Sequence, residues 1–368
     1  MLMSFFKNTK LMANRFLSRK ILDLKSLGEC YPEATIRTSR QIVSECIDTQ
    51  DLLDMPLLPQ TEHLRCETYA SQVPYTAVLH DAGVCTDDNT IVCGPRTIVL
   101  ESSNTRSKAS LFDWKAHIFK KKMHMDGMCT VIRSGGVIKD YYHNFIDSLP
   151  RLFLLKEEPF SELPEIKLLI PNRFNRIEEY FLEKLLPENV KPVFLESGCV
   201  YTVETLIMPS FLTPVFVAYL PKPYMDFFLQ RVLPERRGTK DKRIFISRAK
   251  AARRRVDNEG DLLAFLKARG FESYLFEELT MSEQIELMHD AGTVVTAHGA
   301  ALTNLLFSSG AKVFELFGIP RVKPNYYYLC KCVGNEYRYV CHGARGINDD
   351  FTVDIDQLKA KLDECGVQ

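Results

Sequence analysis

The clearest hydrophobic pattern lies in the C-terminal part of the chain, where short apolar runs alternate with stretches of helical periodicity. The runs are rich in β-branched and aromatic residues, and the stretches between them repeat apolar residues every three or four positions. In chain order the segments are RIFISR, NEGDLLAFLKARG, ESYLFEE, MSEQIELMHDAG, TVVTA, AALTNLLFSSG and KVFELF. This β-α-β-α-β-α-β order predicts a parallel sheet with right-handed crossovers and helices on both faces.

The pattern is different from residue 75 onward, where predicted strands come first and helices follow. Apolar runs separated by Asp, Asn and Gly, at YTAVLHDAG, NTIVCG and RTIVLES, are typical of consecutive β-hairpins. Helical periodicity then begins at YYHNFIDSLPRLFLLKEE. We therefore predict an α/β fold with a helical and loop lead-in over residues 1–74, an α/β domain with added hairpins over 75–225, and a Rossmann-like domain over 226–368.

Length and charge narrow the picture further. The 368 residues exceed the roughly 250 to 300 at which one hydrophobic core stops growing, so more than one domain is expected. Lys+Arg and Asp+Glu both number 47, so no overall charge attracts nucleic acid, and we expect no nucleic-acid partner. An anionic ligand would have to be bound by a local cluster of cations.

The N-terminal segment has no apolar signal region, and no stretch approaches the ~18 apolar residues of a membrane span. A cytoplasmic protein is therefore expected. Residues 1–25 combine Lys and Arg with Phe and Leu, so they could lie on a membrane surface as a basic amphipathic helix. The alternative is a helix packed on its own domain.

The 11 cysteines are scattered and none lies in a Cys-x-x-Cys, so neither a disulfide framework nor a zinc ribbon is predicted. Cys330, Cys332, Cys341 and His342 come closest to a metal set. The Cys-x-Cys spacing is wrong for a zinc finger, and alternation along a strand explains it. We predict no metal site.

A basic loop follows the first strand of the predicted parallel sheet. In such sheets ligands bind beyond the C-terminal ends of the strands. The strand RIFIS ends at Ser247, and Asn258 is the expected cap of the next helix. Between them lie five cations: Arg248, Lys250, Arg253, Arg254 and Arg255. Because the guanidinium fork matches phosphate oxygens, the loop could bind a diphosphate, although a solvated basic loop is the alternative.

The turn after TVVTA is the second candidate at the same edge. His298 and Gly299 are followed at once by a helix that begins with Ala300 and Ala301, so unpaired backbone N–H groups face this edge. Gly299 permits close approach of the backbone, and His298 can donate a hydrogen bond to an oxygen. A lone histidine is more often structural, but the position opposite the basic loop favours an anion site.

Glu315 lies among apolar residues on the predicted strand KVFELF. A buried carboxylate needs partners. They could be the vicinal hydroxyls of a ribose, which nucleotide-binding domains commonly bind with an acid, or one of the nearby arginines.

In the N-terminal half, YYHNFIDSLPRL places His143, Asp147 and Arg151 on one helix face, provided that Pro150 is accommodated as a kink. A histidine and an aspartate four residues apart could form a general base and its orienting acid, which is what the deprotonation of an acceptor hydroxyl requires. The alternative is a buried helix start capped by polar residues.

The order of YYHNFIDSLPRL, IFISRAKAARRRVDNE, LMHDAGTVVTAHGAALTNLLF and VFELF resembles glycosyltransferase family 61 over about residues 75 to 340. The resemblance implies a GT-B-like fold, with two Rossmann-like domains facing a cleft. It also implies inverting transfer of a sugar from a nucleotide sugar, expected to be a UDP-sugar, without an obligatory metal or cofactor. The acceptor is expected to be a glycan or glycolipid, as in the biosynthesis of cell-surface or capsular polysaccharide.

Carried onto this sequence, the resemblance makes residues 75–225 the acceptor-side domain and 226–368 the domain that binds the nucleotide sugar. His143 or Asp147 is expected to be the catalytic base. The residues expected at the donor are Arg248, Arg254, His298, Gly299, Ala300, Asn304 and Glu315.

Other functions are disfavoured but stay open. Asp354-Ile355-Asp356 spells the Asp-x-Asp of metal-dependent transferases, yet FTVDIDQLKAKL is better explained as a strand end followed by a helix with Asp356 as its cap. A non-catalytic protein that binds a nucleotide sugar or a glycan on the same fold is the second candidate. A Rossmann oxidoreductase is disfavoured because the glycine fingerprint is missing.

Overall fold

The computed structural model describes residues 12, 22–87, 89–104, 120–134, 140–342 and 347–368. The chain divides into two compact units that are discontinuous in sequence. Unit 1 combines the residues up to Val43 with residues 72–215, and unit 2 combines residues 44–71 with residues 216–368. Residues 44–71, which the sequence assigned to a lead-in, thus lie in unit 2, and the second half of that unit begins ten residues before the expected boundary near residue 225.

Unit 1 contains a mixed sheet. Its strands are β1 (Asp23–Lys25), β2 (Thr35–Thr38), β5 (Tyr75–Cys85), β6 (Ile91–Cys93), β7 (Thr97–Val99), β8 (Lys121–Thr130), β9 (Ile166–Pro171), β10 (Val190–Leu195) and β11 (Cys199–Pro209). Their order is β1-β7-β6-β5-β11-β8-β9-β10, with β2 also paired to β5. The predicted hairpins are present, since β5, β6 and β7 pair antiparallel in succession.

The helical segments of unit 1 lie mostly after β8. The α-helices are α1 (Leu27–Cys30), α2 (Tyr141–His143) and α3 (Arg176–Leu185). Helix α2 continues without a break as a π-helix over Asn144–Ser148 and then as a 3₁₀-helix over Leu149–Lys156. Two short 3₁₀-helices span Leu100–Ser102 and Phe160–Glu162.

Unit 2 is built on a parallel sheet, as the alternating pattern predicts. Its strands are β12 (Lys242–Ile246), β13 (Phe271–Tyr274), β14 (Ala291–Ala297), β15 (Lys312–Phe317) and β16 (Glu336–Cys341). They are ordered β13-β12-β14-β15-β16, and every adjacent pair is parallel. The sheet brings the C-terminal ends of β12, β14 and β15 to one edge, where the basic loop and His298 were expected to meet.

The helices of unit 2 connect these strands. They are α4 (Lys222–Val232), α5 (Glu259–Lys267), α6 (Met281–His289), α7 (Asn325–Val333) and α8 (Ile355–Glu364). The segment AALTNLLFSSG, predicted to be helical, forms a 3₁₀-helix over Ala300–Phe307. Shorter 3₁₀-helices span Gln50–Leu52, Pro59–Leu64, Phe276–Glu278 and Ile347–Asp349.

Residues 44–71 are tied to the rest of unit 2 by backbone hydrogen bonds. They form the antiparallel pair β3 (Cys46–Asp48) and β4 (Thr68–Ala70). Further along, the Leu58 N–H donates to the Val322 carbonyl oxygen at 3.1 Å, and the Val322 N–H donates to that of Pro56 at 2.7 Å. This segment therefore pairs with the loop that follows β15.

Two local predictions from the sequence were wrong, and a third was right in position only. Cys330 and Cys332 lie on helix α7, so strand alternation does not explain their spacing. Asp354 rather than Asp356 caps α8, because its side chain accepts from the Gln357 N–H. Asn258 occupies the N-cap position of α5, as expected, but its side chain bonds to the backbone of Val353 and makes no capping hydrogen bond.

No group of three or more His, Cys, Asp or Glu that could hold a metal ion occurs among the residues that the structure describes. In that same part of the chain, none of the helices is long and apolar enough to cross a bilayer. The basic segment 1–25 lies almost entirely outside the described residues.

Candidate functional site

A cavity of about 310 Å³ opens in unit 2 beyond the C-terminal ends of β14 and β15. We call it the basic pocket, because several basic side chains line it: Arg253, Arg254, His298, Arg321 and Lys323. Leu58 and Gln60 also line it, so residues 44–71 contribute one wall. Apolar lining comes from Leu316 and Phe317 at the end of β15. The pocket is thus mixed in character, as small-molecule sites generally are.

The cations of the basic loop have different partners. Lys250 pairs with Glu278, and Arg253 pairs with Asp349. Arg255 pairs with Asp350, with Nη2 2.9 Å from Oδ2. These three charges are therefore largely balanced by acids of unit 2.

Arg254 combines two features that matter for a ligand. Within the described residues it makes no salt bridge, and its side chain faces the basic pocket. Its φ of 59° lies in the left-handed region, which costs a residue with a Cβ and is often found at functional positions. The backbone therefore holds Arg254 in an unusual conformation that directs a half-buried cation into the pocket.

Arg248 fixes the loop to the turn after β14. Its Nη2 donates to the Arg253 carbonyl oxygen at 2.9 Å, and its Nε donates to that of Arg254 at 3.3 Å. A Cβ at Gly299 would lie only 1.9 Å from the Arg248 Nη1. The φ of Gly299 is extended, so glycine is needed here for space and not for backbone freedom. Burial lowers the pKa of Arg248, and the charge of Arg254 lowers it further.

His298 is held by a carboxylate behind it. Its Nδ1 lies 2.5 Å from Glu315 Oε1, and the other oxygen, Oε2, accepts from the Tyr337 hydroxyl at 2.7 Å. Glu315 is fully buried, so both of its oxygens are engaged inside unit 2. The ring of His298 also stacks on Phe317, with centroids 5.0 Å apart. With Nδ1 directed at Glu315, Nε2 is the nitrogen left for a ligand.

The surroundings of His298 disfavour its protonation. Burial lowers the pKa of His298, and Arg254 and Lys323 add to this, although Glu315 opposes them. Burial likewise lowers the pKa of Lys323, followed by the charge of Arg254. Like charges are therefore gathered in this pocket at an energetic cost, which an anionic ligand would relieve.

The seven predicted donor residues do not all reach the pocket. Arg254 and His298 line it, while Arg248, Gly299 and Glu315 support those two from behind. Ala300 opens the 3₁₀-helix that follows, and Asn304 is buried with its amide donating to the Ala301 carbonyl oxygen at 2.9 Å. Ala300 and Asn304 therefore do not line the basic pocket.

In unit 1, His143 and Asp147 form a close pair. Nδ1 of His143 lies 2.6 Å from Asp147 Oδ2, with 17% of the His143 side chain exposed and only 1% of that of Asp147. The pair spans the junction between α2 and the π-helix, where the Leu149 N–H donates to the Asn144 carbonyl oxygen, five residues earlier. This wider turn accommodates Pro150, whose ring would clash in a regular α-helix.

Further residues fix Asp147. Its Oδ1 accepts from Asn104 Nδ2 at 2.9 Å, and the same amide nitrogen donates to the Thr213 carbonyl oxygen at 3.0 Å. Arg151 is fully buried and donates to the carbonyl oxygens of Pro209, Ile132 and Arg133. Burial lowers the pKa of Arg151 to about 10, and the negative charge of Asp147 opposes that shift.

The surroundings of His143 favour the protonated form of its ring. Burial lowers its pKa, but the hydrogen bond and the charge of Asp147 outweigh burial, so the pKa lies above the ordinary value. Because Nδ1 faces Asp147, Nε2 is the nitrogen that can take a proton from another molecule. This is the arrangement of a general base with its orienting acid.

Sequence reasoning missed Arg321 and Lys323, Asn104 and Tyr337. Arg321 and Lys323 could have been found, since GIPRVKPN directly follows the strand that ends in Phe317, and ligands bind beyond such ends. Asn104 and Tyr337 carry no local signal, because each acts through a partner that is distant in sequence.

An α/β fold with a basic pocket at the ends of parallel strands, and with an oriented histidine elsewhere, fits an enzyme that handles an anionic substrate. Residues 141–314 match the family model described as Glycosyltransferase 61. This stretch includes the His143–Asp147 pair, the basic loop and His298. The match confirms the resemblance to glycosyltransferase family 61 found in the sequence and supports a glycosyltransferase role in general. No curated protein matches the chain.

Proposed function

We propose that the protein is an inverting, metal-independent glycosyltransferase. It would transfer a sugar from a UDP-sugar to a hydroxyl of a glycan or glycolipid, in the biosynthesis of cell-surface polysaccharide. The observation that supports this most directly is the basic pocket, where Arg254, Lys323 and His298 converge at the ends of β14 and β15. Unit 2 would be the donor half and unit 1 the acceptor half of a GT-B enzyme.

The basic pocket suits a diphosphate because its charges act where negative charge develops. As the bond between the anomeric carbon and the diphosphate breaks, the leaving oxygen gains charge. Arg254 can contact two phosphate oxygens through its planar fork, and Lys323 contributes a second positive charge. In this proposal the fixed cations do the work that a divalent ion does in metal-dependent transferases.

The hydrogen bonds of the buried carboxylate behind His298 favour a role other than the one expected from the sequence. Glu315 gives both oxygens to His298 and Tyr337, so we assign it to positioning His298 and not to binding ribose hydroxyls. A carboxylate that accepts from Nδ1 fixes the ring and directs Nε2 into the pocket. His298 would then donate from Nε2 to a phosphate oxygen once the ligand has favoured its protonation.

His143 would be the base of the transfer step. Its Nε2 takes the proton of the acceptor hydroxyl while the acceptor oxygen bonds to the anomeric carbon. The bond from that carbon to the diphosphate breaks at the same time, and UDP leaves with the electron pair. A single displacement of this kind inverts the configuration. Asp147 holds the ring and stabilises the imidazolium that forms.

Calorimetry of UDP binding to the full chain tests the proposal. UDP should bind equally well in buffer with excess EDTA and in buffer with Mg²⁺, since the protein's cations balance the diphosphate. A panel of UDP-sugars should then release UDP when an acceptor is supplied. The absence of binding by any nucleotide contradicts the proposal, and a strict requirement for Mg²⁺ removes its metal-independent part. Nucleotide binding without turnover of any UDP-sugar would favour the non-catalytic alternative.

A further inference from the structure

A second cavity, of about 410 Å³, lies within unit 1. Most of the surface that lines it is apolar, and several polar side chains also contribute to the lining. The residues that matter here are Val73, Tyr75, Glu101, Asn104, Phe211 and Val215. Val73 is 39% and Val215 is 37% exposed, so two of the more exposed apolar side chains of unit 1 border this cavity. We call it the acceptor cavity, for the reasons that follow.

The chemistry of the lining favours a neutral, hydroxyl-rich ligand. Tyr75 and Phe211 offer aromatic surface, on which the C–H face of a sugar ring packs well. Glu101 uses Oε2 to accept from the Leu27 N–H at 2.9 Å, and within the described residues Oε1 makes no hydrogen bond. That oxygen can accept from a sugar hydroxyl, whereas it would repel a phosphate or a uronate carboxylate.

Arg151 does not change this preference. Its guanidinium lies 4.8 Å from the centre of the Phe211 ring, behind the aromatic wall, and donates to three backbone carbonyl oxygens. It is fully buried and does not line the cavity. The charge at the accessible surface of the cavity is therefore that of Glu101.

The cavity is joined to the His143–Asp147 pair by one side chain. Asn104 lines the cavity, and its amide nitrogen donates to Asp147 Oδ1 at 2.9 Å. Asp147 in turn accepts from His143 through its other oxygen. A ligand in the cavity would thus touch a residue that is one hydrogen bond away from Asp147. No contact in unit 2 is needed for this link.

We propose that the acceptor cavity binds a neutral pyranose ring of the acceptor glycan, and that Asn104 is the positioning residue that holds Asp147, and through it His143, beside that ring. The inference rests on the proposed function and adds the acceptor class to it. It selects an uncharged sugar and excludes a uronate, a phosphorylated sugar or a lipid chain at this subsite.

Saturation-transfer NMR on the full chain tests the first part, with p-nitrophenyl β-pyranosides of glucose, galactose and xylose as probes and the glucuronide as the charged comparison. At least one neutral pyranoside should bind the wild-type chain. Tyr75→Ala should weaken it about fivefold or more, while Tyr75→Phe, which keeps the ring, should change it much less. Phe194→Ala is the matched control, because Phe194 is an exposed aromatic of unit 1 outside the cavity.

UDP calorimetry on each variant separates the possible outcomes. If the wild-type chain does not bind UDP, the proposed function itself is contradicted. UDP binding together with no pyranoside binding, or with binding of the glucuronide alone, overturns the acceptor cavity and leaves the donor site standing. If Tyr75→Ala does not fold, Glu101→Gln decides, because unchanged pyranoside affinity in that variant counts against the cavity.

The role of Asn104 needs a kinetic readout. Asn104→Ala should lower kcat more than it raises the acceptor KM. Without the Asn104 N–H, one hydrogen bond no longer offsets the negative charge of Asp147, which then stabilises the His143 imidazolium more strongly. The acid limb of the pH profile should therefore move to higher pH. If Asn104→Ala has the kcat of the wild type and an unchanged acid limb in its pH profile, Asn104 does not position Asp147 for catalysis.

Discussion

His143 and His298 each pair with a buried carboxylate, at 2.6 Å for His143 with Asp147 and 2.5 Å for His298 with Glu315. Their pKa values nevertheless shift in opposite directions: that of His143 is raised and that of His298 is lowered. The geometry of the pair therefore does not decide the charge of the ring.

The surroundings explain the difference. Burial lowers the pKa of His298 the most, and the charges of Arg254 and Lys323 lower it further. His143 has a second acid nearby, Asp140, which adds to the effect of Asp147. One ring is suited to accept a proton during the reaction, and the other is suited to be protonated when an anion arrives.

The largest expected effect is on the acceptor side of this comparison. His143→Ala should lower kcat by about 10²- to 10⁴-fold, because the base that takes the acceptor proton is lost. UDP affinity should be unchanged, since His143 belongs to unit 1. Initial rates and UDP calorimetry measure the two quantities, with His80→Ala, an exposed histidine of the same unit, as control. Full transfer activity in His143→Ala would show that another group is the base.

Asp147→Asn should show separately how Asp147 orients the His143 ring and how its charge raises the pKa of that ring. Activity requires unprotonated His143, so kcat/KM rises as pH increases through a pKa above about 6.5. Removal of the negative charge lowers that pKa and moves the acid limb to lower pH. The rate should also fall, by about tenfold to a hundredfold, because the ring is less well held. A limb that stays in place in the pH profile of Asp147→Asn would count against His143 as the titrating group.

On the donor side, Arg254→Ala should weaken UDP binding about tenfold or more, since hydrogen bonds to charged groups contribute about 1.5–3 kcal/mol. Arg255→Ala is the matched control. Arg255 lies next in the chain but is paired with Asp350, so its loss should change UDP affinity by about threefold or less. Calorimetry measures both dissociation constants, and equal losses would mean that the loop acts only through its total charge.

The smallest effect concerns the proton on His298. The lowered pKa leaves the ring neutral near pH 7 in the free protein, and the diphosphate should raise it, so UDP binding takes up protons and tightens as pH falls. Calorimetry in buffers with different ionisation enthalpies counts these protons. His298→Gln subtracts the contribution of the UDP phosphate itself, and the same proton count in this variant would contradict the prediction.

The sequence predicts the parallel sheet of unit 2 well because each strand and helix there has its own local periodicity. The basic loop, His298 and the His143–Asp147 pair were also predicted, since strand ends and helical spacing are local signals. Which arginine of the basic loop lines the pocket without an acidic partner was not predictable. That choice depends on Asp349 and Asp350, which lie far along the chain and pair with Arg253 and Arg255.

Other features could not be predicted from the sequence for the same physical reason. Glu315 accepts hydrogen bonds from two side chains, His298 and Tyr337. The strand ends in the sequence indicate only His298. Residues 44–71 have weak periodicity, since they form no long helix or strand of their own. Hydrogen bonds to Val322 hold this segment in unit 2, and those bonds leave no local pattern in the sequence. The π-helix at Asn144–Ser148 follows from how Pro150 is accommodated, which spacing alone does not specify.

The pairing of Leu58 with Val322 also bears on how the chain is made. Ribosomes add about 5–20 residues per second, so Leu58 would wait on the order of tens of seconds before its partner is synthesised. Until then, Leu58 and Gln60 have no basic pocket to line, and unit 1 emerges in between. A fragment that begins at residue 216 would leave the backbone groups of Val322 unpaired. Supplying residues 44–71 as a separate peptide should therefore restore nucleotide binding to such a fragment better than unit 1 would.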